Sequence, residues 1–275
     1  FPAKIFSNKV LFLIDVSDDI NMRMAVPLPD MEKLLSKEKQ DEAKKPEETG
    51  KKENGKERKE KEEKEEKEDT KKFVKTRLSY VTEKLMETVK SLDENTKANI
   101  ITYSISVNKW LKSADNISKK DYEKLESFLN TRTMPARDIY SVLKTAFEEK
   151  EIDTIFLISC GLPQGSVVED TDEILKWIAE ENYFRCVNIH TVGILSNYEA
   201  EKLPADAVVR LNEMTDKVKN FLSDIAARNG GTFFYIDTIG KVEKEVAPPK
   251  ETENPDKGEG KAPEEPEKKP EDGGK

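Results

Sequence analysis

Histidine is nearly absent: His190 is the only one among 275 residues. Imidazole-based catalysis would therefore rest on a residue that lies mid-strand between Ile189 and Thr191, where a packed ring is the simpler reading. Cysteine is almost as scarce, with Cys160 and Cys186 alone. They fall at the end of one expected strand and just before the next. In parallel neighbours that separates them by roughly 15–20 Å, whereas a disulfide needs Cα atoms within about 7 Å; both thiols are expected to be free. No Gly-x-Gly-x-x-Gly follows the first strand and no Walker loop occurs, which excludes nucleotide binding by those routes. No apolar run reaches the length of a membrane span. Nor is there a clean cationic stripe: 47 Lys and Arg are interleaved with 56 Asp and Glu, for a net charge of -9. That balance argues against a nucleic-acid partner.

What is present is distributed unevenly. Residues 31–72 form a Lys/Glu-rich block and residues 243–275 a Pro/Glu/Lys/Gly tail. Neither holds enough apolar surface to offset the entropy of ordering. The expected organisation is one domain over 1–242, interrupted by the charged insertion and followed by a disordered tail. Within the insertion, Pro46, Gly50 and Gly55 favour disorder. Lys56 to Lys72 lacks both residue types and carries Glu-to-Lys pairs four apart, which favours an exposed helix. The chain starts at Phe1 without Met, which reads as a processed or excised chain; a secreted or cell-envelope location fits that, and nothing else in the sequence bears on location.

The strongest structural signal is the strand over Val10–Val16, whose run Val10 to Ile14 is β-branched and aromatic-rich with no alternation, as in a strand buried on both faces. It ends in Asp15, Ser17 and Asp19, at the edge where open α/β sheets bind ligands. Asn21 to Asp30 reads as a loop. From Phe73, Val74, Leu78, Val81, Leu85, Val89 and Leu92 mark an amphipathic helix that the Lys/Glu stretch would extend. Ala98–Tyr103 reads as a strand and Ser106–Trp110 as its hairpin partner at the sheet edge. Helices are expected over Ser118–Leu129, Asp138–Glu149, Asp170–Glu181 and Asp216–Arg228. The remaining strands are Thr154–Ser159, Val187–Val192 and Thr232–Ile236. Such alternation gives a mostly parallel sheet with helices on both faces.

Four stretches together resemble the von Willebrand factor A domain in its compact bacterial form, over about Ser7 to Asp237. The first strand with Asp15-Val-Ser17-Asp-Asp19 lies where that family has Asp-x-Ser-x-Ser. Pro135-Ala-Arg137-Asp-Ile-Tyr140 lies where it has Gly-Gly-Thr-x-hydrophobic-Tyr. The strand ending in Cys160-Gly lies where it has Asp-Gly. Ile189 to Gly193 and Ile225 to Gly231 match its last two units. The resemblance implies a Rossmann-like doubly wound sandwich of six strands, order 3-2-1-4-5-6, with strand three antiparallel. It also implies a metal-ion-dependent adhesion site, where Mg²⁺ or Mn²⁺ keeps one position open for a partner's carboxylate.

That site would map onto Asp15, Ser17, Asp19, Arg137 and Cys160, and the pattern departs from it. Arg137 is a fixed cation where the family has threonine, and Cys160 is a poor donor to a hard ion where it has aspartate. The favoured expectation is that Arg137 pairs with Asp15 or Asp19 and replaces the ion. The chain would then be a non-catalytic, cofactor-free protein-interaction module. Its partner surface would be Asp15–Met24, Thr131–Asp138 and Gly161–Val168. One alternative keeps Mg²⁺ or Mn²⁺ on Asp15, Ser17, Asp19 and Asp138. Another, of a different class, is a metal-assisted phosphohydrolase using Asp15. A scaffolding part that has lost the site is a further reading. Cys160 as a nucleophile lacks a basic partner, and Trp110 and Trp177 read as packing residues.

Overall fold

In the computed structural model the apolar run after Lys9 becomes a central strand, β1 (Lys9–Asp15), with every residue from Val10 onward buried. Described are residues 7–25, 74–130, 132–195, 203–236 and 242–245. Along the chain β1 is followed by β2 (Arg23–Ala25), β3 (Val74–Thr76), α1 (Arg77–Lys90), β4 (Lys97–Tyr103), β5 (Val107–Lys109) and β6 (Asp115–Asn116). Then come α2 (Tyr122–Leu129), α3 (Ile139–Phe147), β7 (Thr154–Ser159), α4 (Thr171–Asn182), β8 (Asn188–Ile194), α5 (Ala205–Arg228), β9 (Phe233–Ile236) and β10 (Val242–Glu245).

The main sheet runs β10-β9-β8-β7-β1-β4-β5, with β6 also on β4. The inner pairs are parallel: β1 with β4 and β7, β7 with β8, and β8 with β9. Only the short edge strands β5, β6 and β10 run antiparallel. Because β1 lies at the centre, its side chains feed two cores. Leu11 and Leu13 join α3, α4 and α5 on one face. Val10, Phe12 and Ile14 join α1 and α2 on the other. Two covered faces explain the absence of alternation in this stretch. Each such side chain, fully buried, stabilises the fold by roughly 1.5–3 kcal/mol. The result is the doubly wound α/β sandwich expected from the alternation of elements.

Several boundaries differ from the sequence reading. Among the described residues the sheet has eight strands, against the six expected. β6 is the dipeptide Asp115-Asn116, which carries no apolar signal. β10 takes Val-Glu-Lys-Glu, whose last three residues fall in the expected disordered tail. Charged residues are tolerated on an edge strand. Residues 23–25, expected in a loop, pair instead with 74–76 in a separate two-stranded ribbon. Helix α1 therefore starts at Arg77 and not at Phe73. Thr76 is its N-cap, in extended conformation, its hydroxyl accepting the Ser79 N–H at 3.1 Å. With β3 interposed, the Lys/Glu stretch does not run straight into α1. The insertion itself, the helix expected over Lys56–Lys72 and residues 246–275 lie outside the described residues.

Helix α5 begins at Ala205, eleven residues before the expected Asp216, and its buried residues are confined to Val218–Ala226. Its 24 residues span about 36 Å, against about 23 Å for the seven of β8. Since α5 descends from the carboxyl end of β8 to the start of β9, its first half stands beyond the carboxyl edge of the sheet.

Candidate functional site

Three loops meet at that carboxyl edge. β1 ends at Asp15 and turns through Ser17 into a 3-10 turn over 18–21. The segment before α3 is tied down on three sides. The Met134 N–H donates to the Val16 carbonyl at 3.2 Å, and Asp138 N–H to the Ser104 carbonyl at 3.0 Å. Arg137 and Gln164 exchange backbone hydrogen bonds of 2.7 and 3.2 Å. Ala136 takes a left-handed conformation, φ 75°. A non-glycine residue holds such a backbone only when its surroundings over-determine it. Asp138 caps α3: its carboxylate accepts the Ser141 N–H at 2.9 Å. Its Oδ1 thus faces a helix end.

The loop delivers the Arg137 side chain into the gap at the strand ends, where it is 3% exposed. Nε donates to Asp15 Oδ2 at 2.7 Å, and Nη2 to Asp19 Oδ2 at 2.6 Å and to Ser17 Oγ at 3.0 Å. Nη2 also lies 3.2 Å from Cys160 Sγ, and Nη1 donates to the Leu162 carbonyl at 2.8 Å. The five positions singled out in the sequence are thus brought together around one guanidinium. Gly161 allows the approach: a Cβ there would meet Arg137 Nη1 at 2.3 Å.

Asp15, fully buried, has both carboxylate oxygens engaged. Oδ1 accepts the Ser17 N–H at 2.8 Å, and Oδ2 the Cys160 N–H and thiol, each at 3.0 Å, besides Arg137. Burial pushes this carboxyl up, but the Arg137 charge and the bonds from Ser17 and Cys160 outweigh it, and the group is held below its ordinary range. An ion pair out of water needs such complete hydrogen bonding to offset desolvation. The Cys160 thiol is pushed up to about 12, first by burial and then by the Asp15 charge, with Arg137 opposing. It is a neutral thiol near pH 7 that donates to Asp15, the opposite of an activated nucleophile. For Arg137, burial works against the charged form, and its neighbours Cys160, Asp15 and Asp19, in that order, more than compensate.

Arg77 is a participant that the sequence did not single out. It is buried at the start of α1, and its Nη1 lies 3.4 Å from the Asp19 carbonyl. Ser159 also escaped notice; its hydroxyl lies 3.5 Å from Asp15 Oδ2 and donates to the Gly161 carbonyl at 2.9 Å. The other candidates have packing roles. His190 Nδ1 accepts the Thr232 N–H at 3.0 Å, and its ring stacks on Phe156 at 4.8 Å. Burial lowers its pKa. Trp177 packs edge-on against Tyr140 and Phe147, and Trp110 lies against the core beneath α1 and α2. Cys160 and Cys186 are both free. Among the described residues, no group of three or more His, Cys, Asp or Glu is placed to hold a metal ion, and no helix is long and apolar enough to cross a membrane.

Comparison with known proteins places the chain in a family. A family model described as the von Willebrand factor type A domain matches residues 64–207. The human von Willebrand factor A domain-containing protein 3B is 24% identical over 191 residues, covering 68% of this chain. The chain spans only 13% of the length of that relative. Among solved structures, a von Willebrand factor type A protein from Catenulispora acidiphila aligns with a TM-score of 0.49 at 10% identity, covering 84% of this chain and 38% of the other. The conserved hypothetical protein BatB from Bacteroides thetaiotaomicron aligns at 0.45 with 14% identity, covering 83% and 90%. With the family model matched across more than half of its length, the chain belongs to the von Willebrand factor type A domain family.

Proposed function

We propose that this domain is a non-catalytic protein-interaction module that works without a metal. In this reading the Arg137 guanidinium supplies the positive charge that an ion would otherwise bring to the strand ends, and a protein partner docks on the edge formed by 15–24, 132–138 and 161–168. The observation that carries it is the set of contacts from one side chain to Asp15, Ser17, Asp19 and Cys160. Mg²⁺ demands oxygen ligands at about 2.0–2.1 Å in near-octahedral array. The oxygens that would serve already accept hydrogen bonds from Arg137, and a divalent ion beside them would face a fixed positive charge at a few ångströms. Cys160, a neutral thiol, offers a hard cation little. The residues do not fit the ion. The same contacts oppose an Asp15 nucleophile, because both of its oxygens are held in place.

Calorimetric titration tests this directly. Mg²⁺ or Mn²⁺ added to the wild-type chain should give no saturable heat. Sub-millimolar binding that disappears in Asp15→Ala would overturn the metal-free reading. Hydrolysis of p-nitrophenyl phosphate that is lost in Asp15→Asn would overturn the non-catalytic one.

A further inference from the structure

The turn that joins α4 to β8, at the amino edge of the sheet, presents two aromatic rings to solvent. Phe184 is 90% exposed, the highest value for a large hydrophobic side chain among the described residues, and Tyr183 is 73% exposed. The rings pack edge to face with centroids 4.8 Å apart. The turn that carries them is pinned. Arg185 donates to the Phe147 carbonyl and, at 2.7 Å, to the Glu149 carbonyl. Its guanidinium lies 5.3 Å from the centre of the Phe147 ring. Asn182 exchanges hydrogen bonds of 2.8 Å with the Val187 N–H and carbonyl, which clamps the turn at both ends. Cys186 holds a left-handed φ of 51° between these anchors. Phe184 is thus a knob on an ordered backbone, which lowers the entropy lost when it is covered.

Beside the knob is a hollow of about 430 Å³, walled by Ala179, Asn182, Tyr183, Val187, Arg228 and Asn229. Its two buried amides are already engaged: Asn182 Nδ2 also donates to Asn229 Oδ1, and Asn229 Nδ2 to the Ile225 carbonyl, each at 2.8 Å. An aromatic ring entering the hollow strands neither of them. Knob and hollow adjoin through Tyr183, so one patch carries both halves of a contact. That is the property an isologous interface requires, since a two-fold axis sets each knob against the other copy's hollow. The charges around the patch are mixed. Arg185 is committed to carbonyls, and Glu151 is paired with Lys9. Exposed Glu180 and Glu181 stand beside the knob, with exposed Lys150 and Arg228 on the other flanks. Arg228 is held by Asp224 at only 3.5 Å. A patch with carboxylates and cations in equal number does not set two copies against each other, despite the net charge of -9 on the chain.

We infer that the amino edge binds a second copy of this chain, with Phe184 of each copy seated in the hollow of the other. This surface lies at the opposite end of the sheet from the Arg137 cluster, so pairing leaves the carboxyl edge open on both copies. The exposed Cys186 lines the hollow, whereas Cys160 is buried. In the pair the two Cys186 thiols come close to the two-fold axis, within reach of a short bismaleimide.

Sedimentation equilibrium of the full chain tests it. The wild-type chain should be in reversible monomer–dimer equilibrium as its concentration is raised through the micromolar range. Phe184→Ser should weaken that equilibrium about tenfold or more, with an unchanged thermal midpoint because the side chain is exposed. The bismaleimide should give a covalent dimer of the wild-type chain, and none of Cys186→Ser or of Phe184→Ser at the same concentration. A wild-type chain that stays monomeric would overturn the inference. So would a dimer indifferent to Phe184→Ser, which would place the contact on another surface. A dimer lost in Phe184→Ser that yields no covalent link through Cys186 would overturn the reciprocal seating.

Discussion

The Asp15–Arg137 pair ties the ends of β1 and β7 to the loop before α3, and its energetics set expectations for single substitutions. Arg137→Met keeps the volume and removes the charge, leaving Asp15 buried beside a neutral thiol. Breaking a buried pair in this way costs on the order of 3–5 kcal/mol, read as a lower urea midpoint. The pH dependence has two limbs. Asp15 titrates below its ordinary 3.8 in the folded chain. Its stabilisation is thus full above that value and lost as pH falls through the folded pKa. Cys160 is raised from 9.0 to about 12, so its contribution is full below 9 and lost between 9 and about 12. Urea midpoints across pH should show both limbs in wild type, with the acid limb reduced in Asp15→Asn and the alkaline limb in Cys160→Ala. Much of this cluster was legible beforehand. Asp15, Ser17 and Asp19 stand at the end of an unmistakable central strand, and Arg137 is a charged residue where the resemblance places threonine. The Leu162 carbonyl and the Cys160 N–H were not legible, because main-chain groups look alike in every sequence. Arg77 was hidden for another reason: one arginine on a helix reads as solvent-facing until the neighbouring turn is known.

Elements with a full set of core-facing residues were found from sequence, and those without it were not. α3 and α4 were placed within a residue or two, since Asp138 and Asp170 each cap a helix that buries residues every three or four positions. The first half of α5 has no buried residue before Val218, so its pattern did not separate it from a loop. β2 and β3 are three residues each and find their partners across the 48 residues between Ala25 and Val74. Periodicity cannot detect pairs so short and so far apart. The division within α5 has a dynamic consequence. Amides of 205–217 should exchange with solvent much faster than those of 218–228, because only the second half is locked to the sheet. Uniform protection along α5 in hydrogen-exchange mass spectrometry would show that the first half is covered by something else.

For the whole molecule, the doubly wound sandwich places the ends of β1 and β7 side by side at its centre, and the chain uses that junction for an arginine. Ala25 and Val74, the described residues on either side of the stretch that holds the charged block, are direct partners in the small ribbon. Loop closure between paired ends costs little more for a long loop than for a short one, so the fold accommodates the charged block without disturbing the sheet. The alternation of strands and helices was enough to reveal this architecture; the two-residue β6 and the charged β10 added edges that no apolar pattern announces. Linkage between metal binding and global unfolding reads out whether the guanidinium stands in the ion's place. The measurement is the thermal midpoint in EDTA and in millimolar Mg²⁺ or Mn²⁺, for wild type and for Arg137→Thr combined with Cys160→Asp. A ligand that binds only the folded chain raises the midpoint by mass action. With the guanidinium in the ion's place, wild type shows no shift and the double variant, whose opened site regains oxygen ligands, shows a rise. A metal-dependent rise in wild type would contradict it.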